Sequence, residues 1–535
     1  MLMTGPQVTI IVKNRGKHMA VSCRRGQSIL DALTGSNVHI DSPCAGKSTC
    51  GKCRIRVLEG DIAVSREDNS FFSRDELESG YRLACTAYPA TDCTIELDID
   101  KNQDYYIVTD ADIPENLTYD KRDDSKNRLM ETDMPEMKLG IGIDIGTTTI
   151  AMQLIDKVTG GVVDTYSALN SQRKYGADVI SRIERANRGQ GDELRQSIIN
   201  DLKTGLGRWL SRKHSPDIGQ IAIAGNTAMI HLLMGYSCST LGVYPYTPVN
   251  IKTIYTTYAE LLKDSEWNIP VVVFPGISAF IGGDIAAGML ACGFAGDERV
   301  KILIDLGTNG EMVIGNNKKI LAASAAAGPA FEGGNITFGT GSIPGAICRV
   351  SIEDGKCRVK TINGKPPAGI CGTGVIEAVA ELLKAGFIDG TGLLGDDCFE
   401  NGYPLVENGE SGKIVLTQKD IREIQLAKAA IRAGLEVLLK RYGAAYGDID
   451  TVYLAGGFGF EMDADKAMAI GLLPKEFKGR VRAVGNTALN GTVRYICDKN
   501  AEAQVALILE VTQEISLSND EDFNGLYVKY MNFID

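Results

Sequence analysis

The run LGIGIDIGTTTI, residues 139–150, decides how the longer part of this chain folds. Leu139 to Ile145 reads as a strand, Asp144 stands at its end, and Gly146, Thr147 and Thr148 turn the chain into a second strand, Ile150 to Ile155. The turn at Thr159, Gly160 and Gly161 leads to a third strand, Val162 to Ala168. Helical segments follow at Ala177 to Ala186 and Glu193 to Arg212, then a strand, Gln220 to Ala224, ending in Gly225, Asn226 and Thr227. After Val300 the order recurs. Strand Lys301 to Leu306 carries Asp305 and gives way to Gly307, Thr308, Asn309 and Gly310. Strands Glu311 to Ile314 and Lys319 to Ala323 flank a turn at Gly315, Asn316 and Asn317. Helices Val375 to Lys384 and Lys419 to Arg441 lead to strand Thr451 to Ala455, which ends in Gly456, Gly457, Phe458 and Gly459.

Two three-stranded meanders in register, each followed by helices and a further strand, predict a duplicated ribonuclease-H-like α/β fold, with lobes at 139–298 and 299–535. The repeated turns have a chemical reason. Paired carboxylates such as Asp144 and Asp305 hold hydrated Mg²⁺; Gly146 and Gly307 let the backbone approach phosphates, and Thr147, Thr148, Thr308 and Asn309 offer hydrogen bonds. Gly372, Thr373 and Gly374 open a helix, whose N-terminus favours anionic phosphate. Gly456 and Gly457 would let a nucleoside lie against the backbone. In this order the motifs resemble the actin, sugar-kinase and Hsp70 ATPase superfamily; no GxxxxGK[ST] run occurs, so a Walker-type ATPase is excluded. Two further places stand out. Gly282, Gly283 and Asp284 offer a further phosphate or metal contact, with a helix start capped by Asp284 as the preferred reading. Gly225 to Ala228 and Gly485 to Ala488 repeat one motif and read as hinge or cap positions without chemistry.

Residues up to about Asp100 form a separate block. Gln7 to Lys13 and His18 to Cys23 make a hairpin, Ser28 caps a helix from Ile29 to Leu33, and Cys53 to Leu58 and Cys93 to Ile99 read as further strands. That order is expected of a β-grasp fold. Cys44 and Cys50 are separated by five residues, Cys50 and Cys53 by two, and Cys85 stands alone downstream. Soft thiolates in a loop of small residues suit an iron–sulfur cluster, whereas zinc ribbons pair CxxC with CxxC. The spacing resembles adrenodoxin-type [2Fe–2S] ferredoxins, so Cys44, Cys50, Cys53 and Cys85 are the expected ligands. Cys23 and Cys93 fall in strands and are expected as small core hydrophobes. From Lys101 to Lys138 the chain is rich in Asp, Asn, Lys and Glu without period, the composition of a flexible linker. The fold class is therefore an α+β multidomain chain.

Composition sets the remaining bounds. With 535 residues the chain exceeds what one core serves, and a net charge of −12 disfavours nucleic acid or an anionic membrane as partner. Met1 to Ile11 lacks the pattern of a secretory signal. The apolar stretch Ile269 to Cys292 is interrupted by Pro275, Gly282, Gly283 and Asp284, so no membrane span is expected. Thirteen Cys, an odd number, argue against a disulfide framework and for a reducing cytoplasm.

A ferredoxin module tethered to a duplicated ATPase resembles the reductive activators of corrinoid enzymes, most sharply at residues 44–53, 142–148, 304–311, 369–377 and 454–459. The resemblance implies ATP-dependent transfer of one electron from the [2Fe–2S] cluster to the cobalt(II) corrinoid of a methyl-transfer protein, restoring cobalt(I). It implies Mg²⁺ positioned by Asp144 and Asp305, adenosine at Gly456 and Gly457, and Glu311 as the candidate that orients the attacking water. A low-potential donor, a ferredoxin or flavoprotein, and a homodimer fit the same reading. Two alternatives stand beside it: a small-metabolite kinase fused to a ferredoxin, and a nucleotide-binding redox sensor without turnover.

Overall fold

The computed structural model describes residues 7–14, 17–36, 38, 40, 42, 46, 48, 51–97, 137–210, 217–263, 267–353, 355–409, 412–456 and 462–533. Cys44, Cys50, Gly457 and nearly all of the expected linker lie outside them. Two compact units form: one on residues 7–97 with Asn170–Ile198, the other on 137–169 with Ile199–Phe533.

In the first unit, β1 (Gln7–Asn14) alternates in burial: Val8, Ile10 and Val12 face the core, and Gln7 and Thr9 face water. It forms a hairpin with β2 (Lys17–Arg24). Helix α1 (Ile29–Gly35) starts where the Ser28 hydroxyl accepts from the Asp31 N–H at 3.1 Å. Strand β3 (Arg54–Glu59) follows, then two short helices absent from the sequence reading, α2 (Asp68–Phe71) and α3 (Arg74–Glu78), and strands β4 (Tyr81–Leu83) and β5 (Cys93–Glu96). The sheet order β2-β1-β5-β3-β4, with β1 and β5 parallel, is the β-grasp arrangement. Buried Asp68 joins its segments, accepting from the Ser65 N–H at 2.7 Å and the Leu83 N–H at 2.8 Å. Cys23 and Cys93 are core residues, as their strand positions suggest, and burial pushes the Cys93 thiol up to about 11. Residues of the chain's middle also belong to this unit, among them α4 (Val179–Arg185), which precedes the long α5 (Gly191–Leu210).

The second unit contains two sheets of matching order. Strands β6 (Leu139–Ile145), β7 (Thr149–Asp156) and β8 (Val162–Leu169) form a meander, and β9 (Ile218–Gly225) lies parallel to β6. After α6 (Thr227–Met234) come β10 (Ile254–Thr257), α7 (Tyr258–Leu262), β11 (Pro270–Val273) and α8 (Gly283–Ala291), giving the order β10-β11-β9-β6-β7-β8. The second meander is β12 (Val300–Leu306), β13 (Gly310–Gly315) and β14 (Ile320–Ala325). Before its parallel partner is reached, the chain inserts β15 (Ala346–Glu353), β16 (Lys356–Thr361), β17 (Gly369–Ile370), α9 (Gly372–Lys384), α10 (Asp396–Phe399), β18 (Tyr403–Gly409), β19 (Gly412–Leu416) and α11 (Gln418–Tyr442). Then follow β20 (Ile449–Ala455), α12 (Ala464–Ala469), β21 (Val481–Gly485), α13 (Thr487–Cys497), α14 (Ala501–Val511) and β22 (Thr512–Glu514), in the order β21-β20-β12-β13-β14-β22.

Meander, parallel strand and second parallel strand thus occur twice, and a helix follows the last strand of each copy. Those two helices, α8 and α13, pack on each other and, with α14, fill a core shared by both sheets, including Ala222 and Val272 on one side and Leu303 and Tyr453 on the other. Small residues permit the contact. A Cβ on Gly491 would stand 2.0 Å from the Ala287 carbonyl oxygen, and one on Gly142 would stand 2.6 Å from Thr492 Oγ1. Among the described residues no helix is long and apolar enough to cross a membrane.

Candidate functional site

In the ferredoxin-like unit, pairing of Arg54 with Leu83 brings the chain before β3 and the chain after β4 to one end of the sheet. The Ala84 N–H donates to the Cys53 carbonyl at 2.8 Å, so Cys53 and Cys85 lie near one another, both buried. Ser48 Oγ stands 3.5 Å from Cys85 Sγ. Gly46 and Gly51 have φ of +86° and +65°, and a Cβ on Gly51 would collide with the Phe71 ring at 2.4 Å. Two soft donors on one rigid ladder, beside a loop of small residues turned by left-handed glycines, fit a thiolate-bound cluster. The other two expected ligands, Cys44 and Cys50, fall outside the described residues.

In the larger unit the ends of β6 and β12 carry Asp144 and Asp305 into one cleft. Gly146 donates to the Thr149 carbonyl at 2.9 Å, and Gly307 to the Asn309 carbonyl at 2.9 Å, which shapes the corresponding turns. A Cβ on Gly146 would stand 2.8 Å from the Thr149 oxygen. Gly456, with φ of +108°, leaves no room for a side chain: its Cβ would lie 2.2 Å from the Leu306 oxygen. Gly372 and Gly374 also have packing reasons, since Cβ atoms there would lie 1.7 Å from the Phe331 oxygen and 2.0 Å from the Ile347 oxygen. Thr373 between them is buried. Glu377, one turn into α9, is buried and paired with Arg349 at 2.8 Å and Lys466 at 2.5 Å, which fixes the start of that helix against β15 and α12.

Four carboxylates gather in the cleft. Burial, with repulsion from Asp284 and against a hydrogen bond from Asn486, pushes Asp144 up to about 7. Burial and then the charges of Asp284, Asp144 and Glu332 push Asp305 up to about 7. Asp284 is pushed up to about 6, mainly by burial. Glu311 is raised well above the usual carboxylate range by burial and by Asp284 and Asp305. It faces Asp305 across the β12–β13 ladder and accepts weakly from the Ser324 hydroxyl at 3.4 Å. Among the described residues no Lys, Arg or His ion-pairs with any of the four. Nor do three His, Cys, Asp or Glu side chains there stand close enough to chelate one ion directly. A cluster of this kind is neutralised either by protons or by a cation held through its waters.

Four further residues bear on the cleft. Asp284 does not cap its helix: Gly282 is the N-cap, and Asp284, in the first turn, accepts from the Ile285 N–H at 2.9 Å and adds its charge to the cleft. Asn226 and Asn486 do cap α6 and α13, accepting from Met229 N–H at 2.9 Å and Leu489 N–H at 2.8 Å. Their amide groups reach further. Asn226 Nδ2 donates to Thr147 Oγ1 at 3.0 Å, and Asn486 Nδ2 donates to Asp144 Oδ2 at 2.8 Å, so a helix that follows the second sheet holds the carboxylate of the first. Repetition of the Gly-Asn-Thr-Ala motif was the available signal. Glu332 is the fourth: Thr308 Oγ1 donates to its Oε2 at 3.1 Å.

A thiolate end on a β-grasp sheet and an acidic cleft between duplicated sheets define a ferredoxin-linked protein with an actin-like ATPase core. Comparison with known proteins agrees over the whole length. Residues 12–90 match the 2Fe-2S iron–sulfur cluster binding domain, 139–297 the RACo middle region, and 299–535 the C-terminal domain of RACo, the ASKHA domain. The corrinoid activation enzyme RamQ of Eubacterium limosum is 30% identical over 95% of this chain and 96% of its own. The [Co(II) methylated amine-specific corrinoid protein] reductase of Methanosarcina barkeri is 27% identical, covering 74% of this chain and 77% of that protein. A solved reductive activator for corrinoid, iron–sulfur protein superposes with a TM-score of 0.68 at 28% identity, covering 98% of both chains. The chain belongs to the ferredoxin–ASKHA family of corrinoid reductive activators.

Proposed function

We propose that this protein couples ATP hydrolysis to the transfer of one electron onto the cobalt(II) corrinoid of a partner methyl-transfer protein, restoring cobalt(I). The observation that carries the ATP half is the unpaired acidic cleft, with Asp144 and Asp305 at equivalent strand ends and raised to about 7. Such a site has high affinity for a cation that arrives with a polyanion. In this reading Asp144 and Asp305 hold Mg²⁺ through its water shell. Gly146, Thr147, Thr148, Gly307, Thr308 and Asn309 line the phosphates, and the N-terminal turn of α9 at Gly372, Thr373 and Gly374 faces them. Gly456 with Gly457 receives adenosine, and Glu311 completes the catalytic set beside Asp305.

Cys44, Cys50, Cys53 and Cys85 would hold the [2Fe–2S] cluster, which when bound supplies single electrons near about −400 mV. Each 59 mV uphill costs one electron about 1.4 kcal/mol. Nucleotide therefore acts where it has leverage, on the α8–α13 contact that joins the lobes, and binding energy there favours the partner's reduced state. Residues 101–138 serve as the tether, a ferredoxin or flavoprotein reloads the module, and the setting is the cytoplasm.

The test is direct. Anaerobic, pre-reduced protein is mixed with a cobalt(II) corrinoid protein, and the cobalt spectrum is followed with and without Mg-ATP. Cobalt(I) should accumulate only with Mg-ATP. Equal reduction without nucleotide would remove the coupling, and phosphorylation of a small metabolite would point to a kinase.

A further inference from the structure

We infer that Glu332 senses the terminal phosphate through Thr308 and positions the water that attacks it. The inference rests on the cleft being an ATP site. Glu332 ends a one-turn helix, Pro329–Glu332, bounded by Gly328 and Gly333 with φ of +76° and +77°. That turn is wedged in place. A Cβ on Gly333 would stand 2.3 Å from the Thr340 oxygen, one on Gly334 2.5 Å from Pro329 Cβ, and Phe331 is fully buried against the start of α9. The carboxylate is thus presented by a rigid turn, and its Oε2 accepts from Thr308 Oγ1, in the second Gly-Thr turn, at 3.1 Å. Glu311 instead faces Asp305, three residues back along the chain from Thr308.

A hydroxyl has one proton. While Glu332 holds it, Thr308 shows the cleft only lone pairs and cannot donate to a phosphate. A terminal phosphate, rich in acceptors, competes for that proton. Once Thr308 turns to it, the Glu332 lone pair it occupied is vacated and accepts from a water beside the phosphate. The water oxygen then bonds to phosphorus as the bridging oxygen departs with ADP, and the released proton passes to the Glu332 carboxylate. Nucleoside diphosphate leaves the Thr308–Glu332 bond intact.

The experiment uses the full-length, cluster-loaded protein, titrated with Mg-ADP and with a non-hydrolysable Mg-ATP analogue, alongside steady-state ATP turnover. Glu332→Ala removes the competing acceptor, so analogue affinity relative to ADP should rise about threefold above that of Glu332→Gln. Its kcat should fall at least about tenfold. Glu332→Gln loses the same charge but keeps an oxygen for Thr308 or water, so it should retain more turnover than the Ala variant. In a Thr308→Val background, Glu332→Ala should add no further tightening. Equal affinity ratios in the Ala and Gln variants, loss of ADP binding in both, or wild-type turnover in both would overturn the assignment. So would a tenfold loss in Glu311→Gln with none in the Glu332 variants. If wild-type protein binds neither nucleotide, the ATP-site reading fails and this assignment with it; wild-type binding with unchanged variants overturns the assignment alone.

Discussion

Replacing Asp305 with Asn should stabilise the nucleotide-free protein at pH 8 and leave its stability unchanged near pH 4. Asp305 sits at about 7 when folded, against about 3.9 for an unfolded Asp. Between those values the folded chain holds a proton that the unfolded chain has released. Stability from this group is therefore complete below about pH 3.9 and lost as pH rises through about 7. A shift of this size has a ceiling of about 4 kcal/mol. Part of it is repulsion shared with Asp144 and Asp284, so a single substitution should recover about 2–4 kcal/mol above pH 7.5. For a unit this large about 1 kcal/mol moves the melting temperature by only ~1 °C, which makes the expected gain about 2–4 °C. Calorimetry of wild type and Asp305→Asn in EDTA, from pH 4 to 8, reads the difference between them. Millimolar Mg²⁺ with ADP at pH 8 should reverse it by stabilising wild type alone. A difference that is flat with pH, or that favours wild type at pH 8 in EDTA, would refute the argument that the cleft is an uncompensated acidic cluster.

Asn486→Ala removes the bond that favours the Asp144 carboxylate, so the pH at which Mg-nucleotide binding is half-maximal should move upward; a fluorescent-nucleotide titration across pH 6 to 9 reads this. Gly491→Val forces α13 away from the Ala287 carbonyl and should lower stability by about 2–4 kcal/mol, measured as a drop in the melting of the larger unit with the visible spectrum of the ferredoxin unit unchanged. Cys85→Ser should yield protein depleted in iron by elemental analysis, with nucleotide affinity retained. Ser28→Ala removes the cap of α1 and should cost the ferredoxin unit about 1 kcal/mol, seen in its own melting transition.

Much of this was legible in the chain itself, because the signals are local. A strand ending in Asp144 and one ending in Asp305 repeat with the same turn residues, and period-two burial in Gln7–Asn14 follows from the alternation of its side chains. The meanders fall within a residue or two of expectation: Ile320–Ala325 stands where Lys319 to Ala323 was read, and Val300–Leu306 where Lys301 to Leu306 was. Short or isolated elements were not legible. Helix α2 opens at buried Asp68, which collects the backbone N–H groups of Ser65 and Leu83, eighteen positions apart, and β15–β19 interrupt the second repeat without a period of their own.

The cysteine spacing, the duplication and the repeated Gly-Thr turns can all be read along the chain, because each is carried by residues within a few positions of one another. Only the tertiary structure decided which distant groups meet. Asp284 reads along the chain as a cap in preference to a phosphate or metal contact and proves to be part of an acidic cleft; Asn486 reads as a hinge or cap, and besides capping α13 it holds Asp144; Glu332 carries no motif signal and bonds Thr308. The physical reason is that a carboxylate's role depends on how much water surrounds it and which charges lie within a few ångströms, and packing of two sheets around α8 and α13 fixes both.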